Sequence, residues 1–120
     1  MSYEINPVVG AGVSICGYSD RHACSIVEVS KSGKVIKVQR DNAVLLNGPD
    51  SGEEDALHFS PGGFCGHMSG RQRYSYSPNR EAGIQVFSLR KNGRWVRKGE
   101  SAKGGSRLIE GRHEHYDYNF

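Results

Sequence analysis

A chain of 120 residues has room for one domain, and its 16 glycines, roughly twice ordinary usage, favour tight turns over long helices. Valine, isoleucine, leucine and phenylalanine together number 25, just above the roughly 20% share below which chains tend to stay disordered, so the expected core is thin and a homodimer or bound partner would help to stabilise it. A formal net charge of +3 is too small in itself to indicate a nucleic-acid partner.

Cys16, Cys24 and Cys65 make an odd count with no C-x-x-C pair, which excludes a disulfide framework and a finger or ribbon zinc site. Reduced thiols suit a cytoplasm. The N-terminus has no basic and apolar leader pattern, and no apolar run approaches the roughly 18 residues of a spanning helix, so neither secretion nor a membrane partner is expected.

In chain order, Val13 and Ile15 alternate with small or polar residues up to Gly17, the period of a half-buried strand. Residues 24–30 and 34–40 repeat that signal around Lys31-Ser32-Gly33 and predict a hairpin. Asp41 to Leu46 extends the same sheet. Residues 47–70 show no clear period and read as a long loop insertion anchored by Phe59, Phe64 and Met68, the first place to seek a site. Strands resume at residues 72–77 and 84–90. Asn92-Gly93 then predicts a type I′ turn into Trp95–Lys98, because that turn needs positive φ at both central residues. Residues 107–110 and 115–120 each offer a further short strand. No helix of three turns and no fixed repeat is evident. The fold expected over residues 1–120 is therefore a single mainly β domain, a small antiparallel barrel or sandwich with an SH3-like barrel preferred.

Charge is distributed unevenly. Residues 90–104 carry Arg90, Lys91, Arg94, Arg97, Lys98 and Lys103 against Glu100 alone, while Asp50, Glu53, Glu54 and Asp55 form an acidic stretch. The basic hairpin, with Trp95 at its centre, offers guanidinium groups for phosphates and an aromatic face for bases; Arg71, Arg73, Tyr74 and Tyr76 form a second such set. Arginine and aromatic residues would equally suit a protein partner. The competing reading puts Trp95 in the core and has the charges keep an edge strand soluble. Gly62, Gly63, Phe64 and His67 form a glycine-rich segment whose backbone amides could cradle a small anion such as a signalling nucleotide, or simply a turn that docks Phe64.

Catalytic chemistry has weaker support. His67 and Cys65, with Asp117, would be the choice for an enzyme, with Arg90 and Tyr116 nearby. His22, His58, His113 and His115 show no ligand spacing, so no metal and no cofactor is expected. His113-Glu114-His115 resembles a zinc-deaminase triplet but lacks the Pro-Cys-x-x-Cys partner.

Gly12-Val13-Ser14-Ile15-Cys16 with Ser19-Asp20, Pro61-Gly62-Gly63-Phe64 with His67, Asn92-Gly93-Arg94-Trp95 and the terminal Tyr116-Asp117-Tyr118-Asn119-Phe120 run over most of the chain. Together they resemble a group of small, functionally uncharacterised proteins of tailed bacteriophages. The resemblance implies a viral, β-rich protein acting in the host bacterial cytoplasm. The function expected is non-enzymatic binding of a host nucleic acid or defence protein through the basic hairpin, in order to counter a bacterial defence system.

Overall fold

The computed structural model describes residues 5–17, 20–60 and 67–116. Among these the regular elements are all strands: β1 (Gly12–Cys16), β2 (Arg21–Val29), β3 (Val35–Arg40), β4 (Asn42–Leu45), β5 (His58–Ser60), β6 (His67–Ser69), β7 (Tyr74–Ser77), β8 (Ile84–Leu89), β9 (Trp95–Arg97) and β10 (Arg107–Glu110). Six close into an antiparallel barrel in the order β1-β10-β9-β8-β3-β2. Of the two expected architectures, the protein adopts the barrel.

Closure follows from alternating side chains. Every barrel strand sends residues into one interior, where Val13, Ile15, Cys24, Ile26, Ile36, Val38, Phe87, Trp95 and Leu108 form the core. On β2 the register shifts between Ile26 and Glu28. The extra residue lets Ile26 and Val29, three positions apart, both pack inward, and Val27 is left exposed.

Two details differ from the sequence expectation. The 84–97 hairpin turns through a three-residue loop: Gly93 N donates to Arg90 O, and Arg90 N donates to Arg94 O. Positive φ occurs at Gly93 (83°) and at no non-glycine residue described, so this is a tight turn with one left-handed glycine, not the type I′ turn. Second, residues 42–45 leave the barrel and pair with β7 in a separate two-stranded arm, with Asn42 opposite Ser77 and Leu45 opposite Tyr74.

The insertion contains a short hairpin of its own, β5 against β6. The expected anchors Phe64, and the side chains of Phe59 and Met68, lie outside what is described. Asn47 closes the base of the insertion instead. It is fully buried; its Nδ2 donates to Asp55 O at 2.8 Å and Arg71 O at 2.7 Å, and its Oδ1 accepts from Arg73 N at 2.9 Å. Its own carbonyl accepts from Leu57 N, and Leu57, 3% exposed, is the apolar plug beneath.

Asn47→Ala would strand two carbonyls and one amide in a buried position, so urea denaturation should show a loss of about 3 kcal/mol. Hydrogen exchange should quicken at residues 53–57 and 71–77 while amides of the barrel core keep their protection.

Candidate anion-binding face

Strand parity places Ser14, Ala23, Val96 and Ile109 on the outside of the barrel, yet each is at most 1% exposed. Two segments cover them. After β10 the chain turns at Gly111 and crosses back over β1 and β2: Ser14 Oγ donates to Gly111 O and accepts from His113 N, both at 2.7 Å. Farther along, Glu114 Oε1 accepts from Ala23 N at 2.8 Å, and His115 bridges Arg21. The loop 98–106 covers Val96.

The basic hairpin divides into structural and available cations. Trp95 is 3% exposed and belongs to the core, so it offers no stacking face. Arg90 is clamped by its own loop, donating to Ser88 Oγ, Glu100 O and Arg97 O at 2.9–3.0 Å. Arg97 shares the inward parity of Trp95; its guanidinium lies 5.8 Å from the Phe87 ring centre and bonds Gln85 and Glu100. Trp95 thus follows the competing reading, in the core, while Arg90 and Arg97 are half-buried and spend donors within the hairpin and its loop. Lys91 and Lys98 are exposed and Arg94 half-buried, without an ion pair among the described residues.

Arg94 meets Lys103 and Arg107 around an open basin of about 400 Å³ that is floored by Cys16, Val96 and the backbone of Gly104-Gly105-Ser106. Gly105 is required there: a Cβ would lie 2.7 Å from both Val96 Cγ1 and Glu100 Cβ. The acid of this loop is turned inward, Glu100 Oε1 accepting from Ser106 N at 2.6 Å. That bond, aided by the Arg97 charge, holds Glu100 below the ordinary carboxylate range. Burial pushes the Cys16 thiol up despite the neighbouring Arg107 and Arg21, and pushes Cys24 up to about 12. Both thiols are therefore protonated near neutrality and are poor nucleophiles.

The second basic and aromatic set is also divided. Arg73 makes a bidentate pair with Asp55 at 2.9 and 3.1 Å and lies 3.6 Å from Glu53, so the acidic loop neutralises it. Tyr74 Oη donates to Gln72 Oε1 at 2.6 Å. Tyr76 Oη accepts from Glu114 N at 3.1 Å. Tyr76 and Arg71 help line a cleft of about 340 Å³ between the arm and residues 112–115, with Arg21 on the barrel side. Arg112 passes over the cleft's edge to Asp41 Oδ2 at 2.8 Å and Ser25 Oγ at 2.8 Å.

Cys65, Asp117, Gly62, Gly63 and Phe64 lie outside the described residues, as does the side chain of His67; the backbone of His67 pairs with Ser60 in the β5–β6 hairpin. Among the described residues, no three His, Cys, Asp or Glu side chains are grouped as metal ligands, and no helix is long and apolar enough to cross a membrane. Comparison with known protein families, with curated proteins and with solved structures gave no match.

Sequence reasoning missed Arg107 and Arg21 as site residues. Each is an isolated cation in its own stretch, and only the register sets them side by side with Cys16 between.

Gly105→Ala should overpack the loop against Val96 and destabilise the protein by about 1–3 kcal/mol in urea melts. Because the Glu100 pKa is lowered by folding, its contribution is complete above the ordinary value of 4.5 and is lost as pH falls through the lowered value. Exchange of the Ser106 amide, followed against pH, should accelerate in that acid range and be insensitive to pH-driven loosening at neutrality.

Proposed function

We propose that this protein is a non-enzymatic binding module that holds a phosphate-bearing host macromolecule, nucleic acid first, on the basic end of its barrel. The observation that carries this reading is the sorting of charge. The acids near this end are used internally, Glu100 by Ser106 and Arg97, whereas Arg94 and Lys103 stand at the rim of an open basin beside Arg107. Arg94 and Lys103, without an ion pair among the described residues and over backbone that a ligand can approach closely, suit a polyanion. The raised pKa values of Cys16 and Cys24 support binding over nucleophilic turnover at these thiols. The likeness to tailed-phage proteins supplies the setting: a host partner met in the bacterial cytoplasm, with interference in a defence system as the use.

The basin also favours a second reading, a small anionic ligand such as a signalling nucleotide. Its volume of about 400 Å³ lies within the usual range for small-molecule sites. Arg90 is already committed to Ser88, Arg97 and Glu100, so Arg94 and Lys103 would take the phosphate.

Fluorescence anisotropy with a labelled oligonucleotide tests the first reading. Arg94→Glu/Lys103→Glu should weaken binding at least tenfold and reduce the slope of log affinity against log salt by about one to two. Undiminished binding in this variant would remove the assigned surface. Thermal-shift screening of nucleotides separates the readings, since a ligand that binds the folded state raises the midpoint by mass action.

A further inference from the structure

The basin and the arm cleft are not independent features of the surface. Cys16 pairs with Arg107 on one side and with Arg21 on the other, Arg107 pairs with Val96 beyond, and Arg21 is bridged to His115. Directly opposed residues in antiparallel strands project from the same face. Arg107, Cys16 and Arg21 therefore form one row on the outside of the barrel, with the basin at one end and the cleft at the other. At about 4.8 Å per strand the row from Val96 to His115 spans roughly 19 Å.

We infer that this row is a track along which single-stranded nucleic acid crosses the barrel from the basin to the arm cleft. The inference rests on the reading given under Proposed function and deepens it by naming the form of the nucleic acid and its path.

Three observations support the track. Arg21 lines the cleft from the barrel side, one strand from Cys16 on the same outer row. Arg71 faces the same cleft from the arm and has no ion pair among the described residues. Among the described residues, aromatic surface is found at this end: Tyr76 lines the cleft, and Tyr116, 52% exposed, follows it. Phosphates would thus be neutralised along the row by Arg94, Arg21 and Arg71, while unstacked bases find ring faces at the arm. A duplex keeps its bases stacked on one another and could not use those rings, which is the reason for a single strand.

Among the described residues the cleft contains one acid, Glu114, and its geometry bears on whether an anion is tolerated. Glu114 Oε1 is taken by Ala23 N, and Oε2 lies 3.3 Å from His22 Nδ1 and 3.8 Å from Arg40 Nη2. With its side chain only 11% exposed, this carboxylate is paired on the barrel side and leaves the cationic wall to the ligand.

The test uses fluorescein-labelled oligo-dT from a dinucleotide up to about 12 nucleotides, titrated at several salt concentrations. Wild-type affinity should rise with length. Arg71→Gln, an exposed change, and Arg21→Gln should each weaken the longest oligonucleotide about tenfold and lower its salt slope by about one, with dinucleotide binding unchanged. Arg21→Lys should restore part of the slope if Arg21→Gln acts through charge, and thermal midpoints check that every variant is folded. Tyr116→Ala should weaken long oligo-dT but not heparin. If Arg71→Gln and Arg21→Gln bind long oligo-dT like wild type while Arg94→Glu/Lys103→Glu does not, the track is wrong and the basin reading stands. Failure of the wild type to bind any oligonucleotide overturns both. Equal affinity for heparin, with Tyr116→Ala silent, reduces the surface to a general polyanion patch and overturns the single-strand assignment.

Discussion

One buried carboxylate organises the outer layer of this protein. Asp41 follows the last residue of β3, at the point where the chain leaves the barrel, and its side chain is 2% exposed. It accepts from Ser25 Oγ at 2.7 Å and from Arg112 Nε at 2.8 Å. A pair of this kind adds little net stability over an apolar substitute, yet removing one partner leaves a buried charge at a cost of about 3–5 kcal/mol. Its effect is therefore to select a path. Arg112 reaches Asp41 by lying across Gly12, where a Cβ would come within 2.7 Å of the guanidinium arm. That contact presses residues 111–116 against β1 and β2. Ser14, Ala23 and Ile109 are consequently buried on what would otherwise be the solvent side, and a thin single-layer barrel gains a partial second layer.

The same covering segment borders the candidate face. Over residues 111–116 it crosses β1 and β2, and the outer row through Arg107, Cys16 and Arg21 runs from the loop 98–106 toward it. The loop depends on Glu100 and Arg90, which fasten its two ends to the hairpin. Three acids near the face hold covering segments in place: Asp41 and Glu114 fasten residues 111–116, and Glu100 fastens the loop. Arg94 and Lys103 make no ion pair among the described residues and stand at the basin rim. A surface excess of positive charge can thus coexist with an overall net charge of only +3.

The barrel was legible in the sequence because its information is local. Period-two alternation marks Val13 and Ile15, Ile36 and Val38, and the glycines at 33 and 93 mark hairpin tips that the structure contains. The turn type at Asn92-Gly93 was misjudged for an equally local reason: dipeptide preference does not distinguish a two-residue loop from a three-residue loop in which Gly93 alone takes positive φ. The departure of β4 was illegible, since Val44 and Leu45 alternate as well on an arm as in a barrel. The candidate site was less legible than the fold. Lys91, Arg94 and Lys98 were identified by their charge, but Trp95, Arg90 and Arg97 looked equivalent to them, and only strand parity separates an inward Trp95 and Arg97 from an available Arg94. Asp41–Arg112 and Ala23–Glu114 join residues 71 and 91 positions apart, a separation at which spacing within one sequence contains no signal.

Parity also bears on why this face suits recognition better than catalysis. An acid–base or nucleophilic site needs titratable groups whose protonation is poised near neutrality and whose polar atoms remain open to a substrate. Cys16, the thiol at the centre of the row, is held in its neutral form by burial even with two arginines near it. Glu100 is held ionised and bonded to backbone, and Glu114 is paired on the barrel side. What stays open is permanently charged guanidinium and ammonium, groups that neither give nor take a proton at neutral pH but attract phosphate over a distance set by salt. The role proposed for a surface so composed is to hold an anionic strand and leave its covalent bonds unchanged. The long hydrogen-bonded reach of residues 111–116 then acts as the rigid wall against which such a strand would lie.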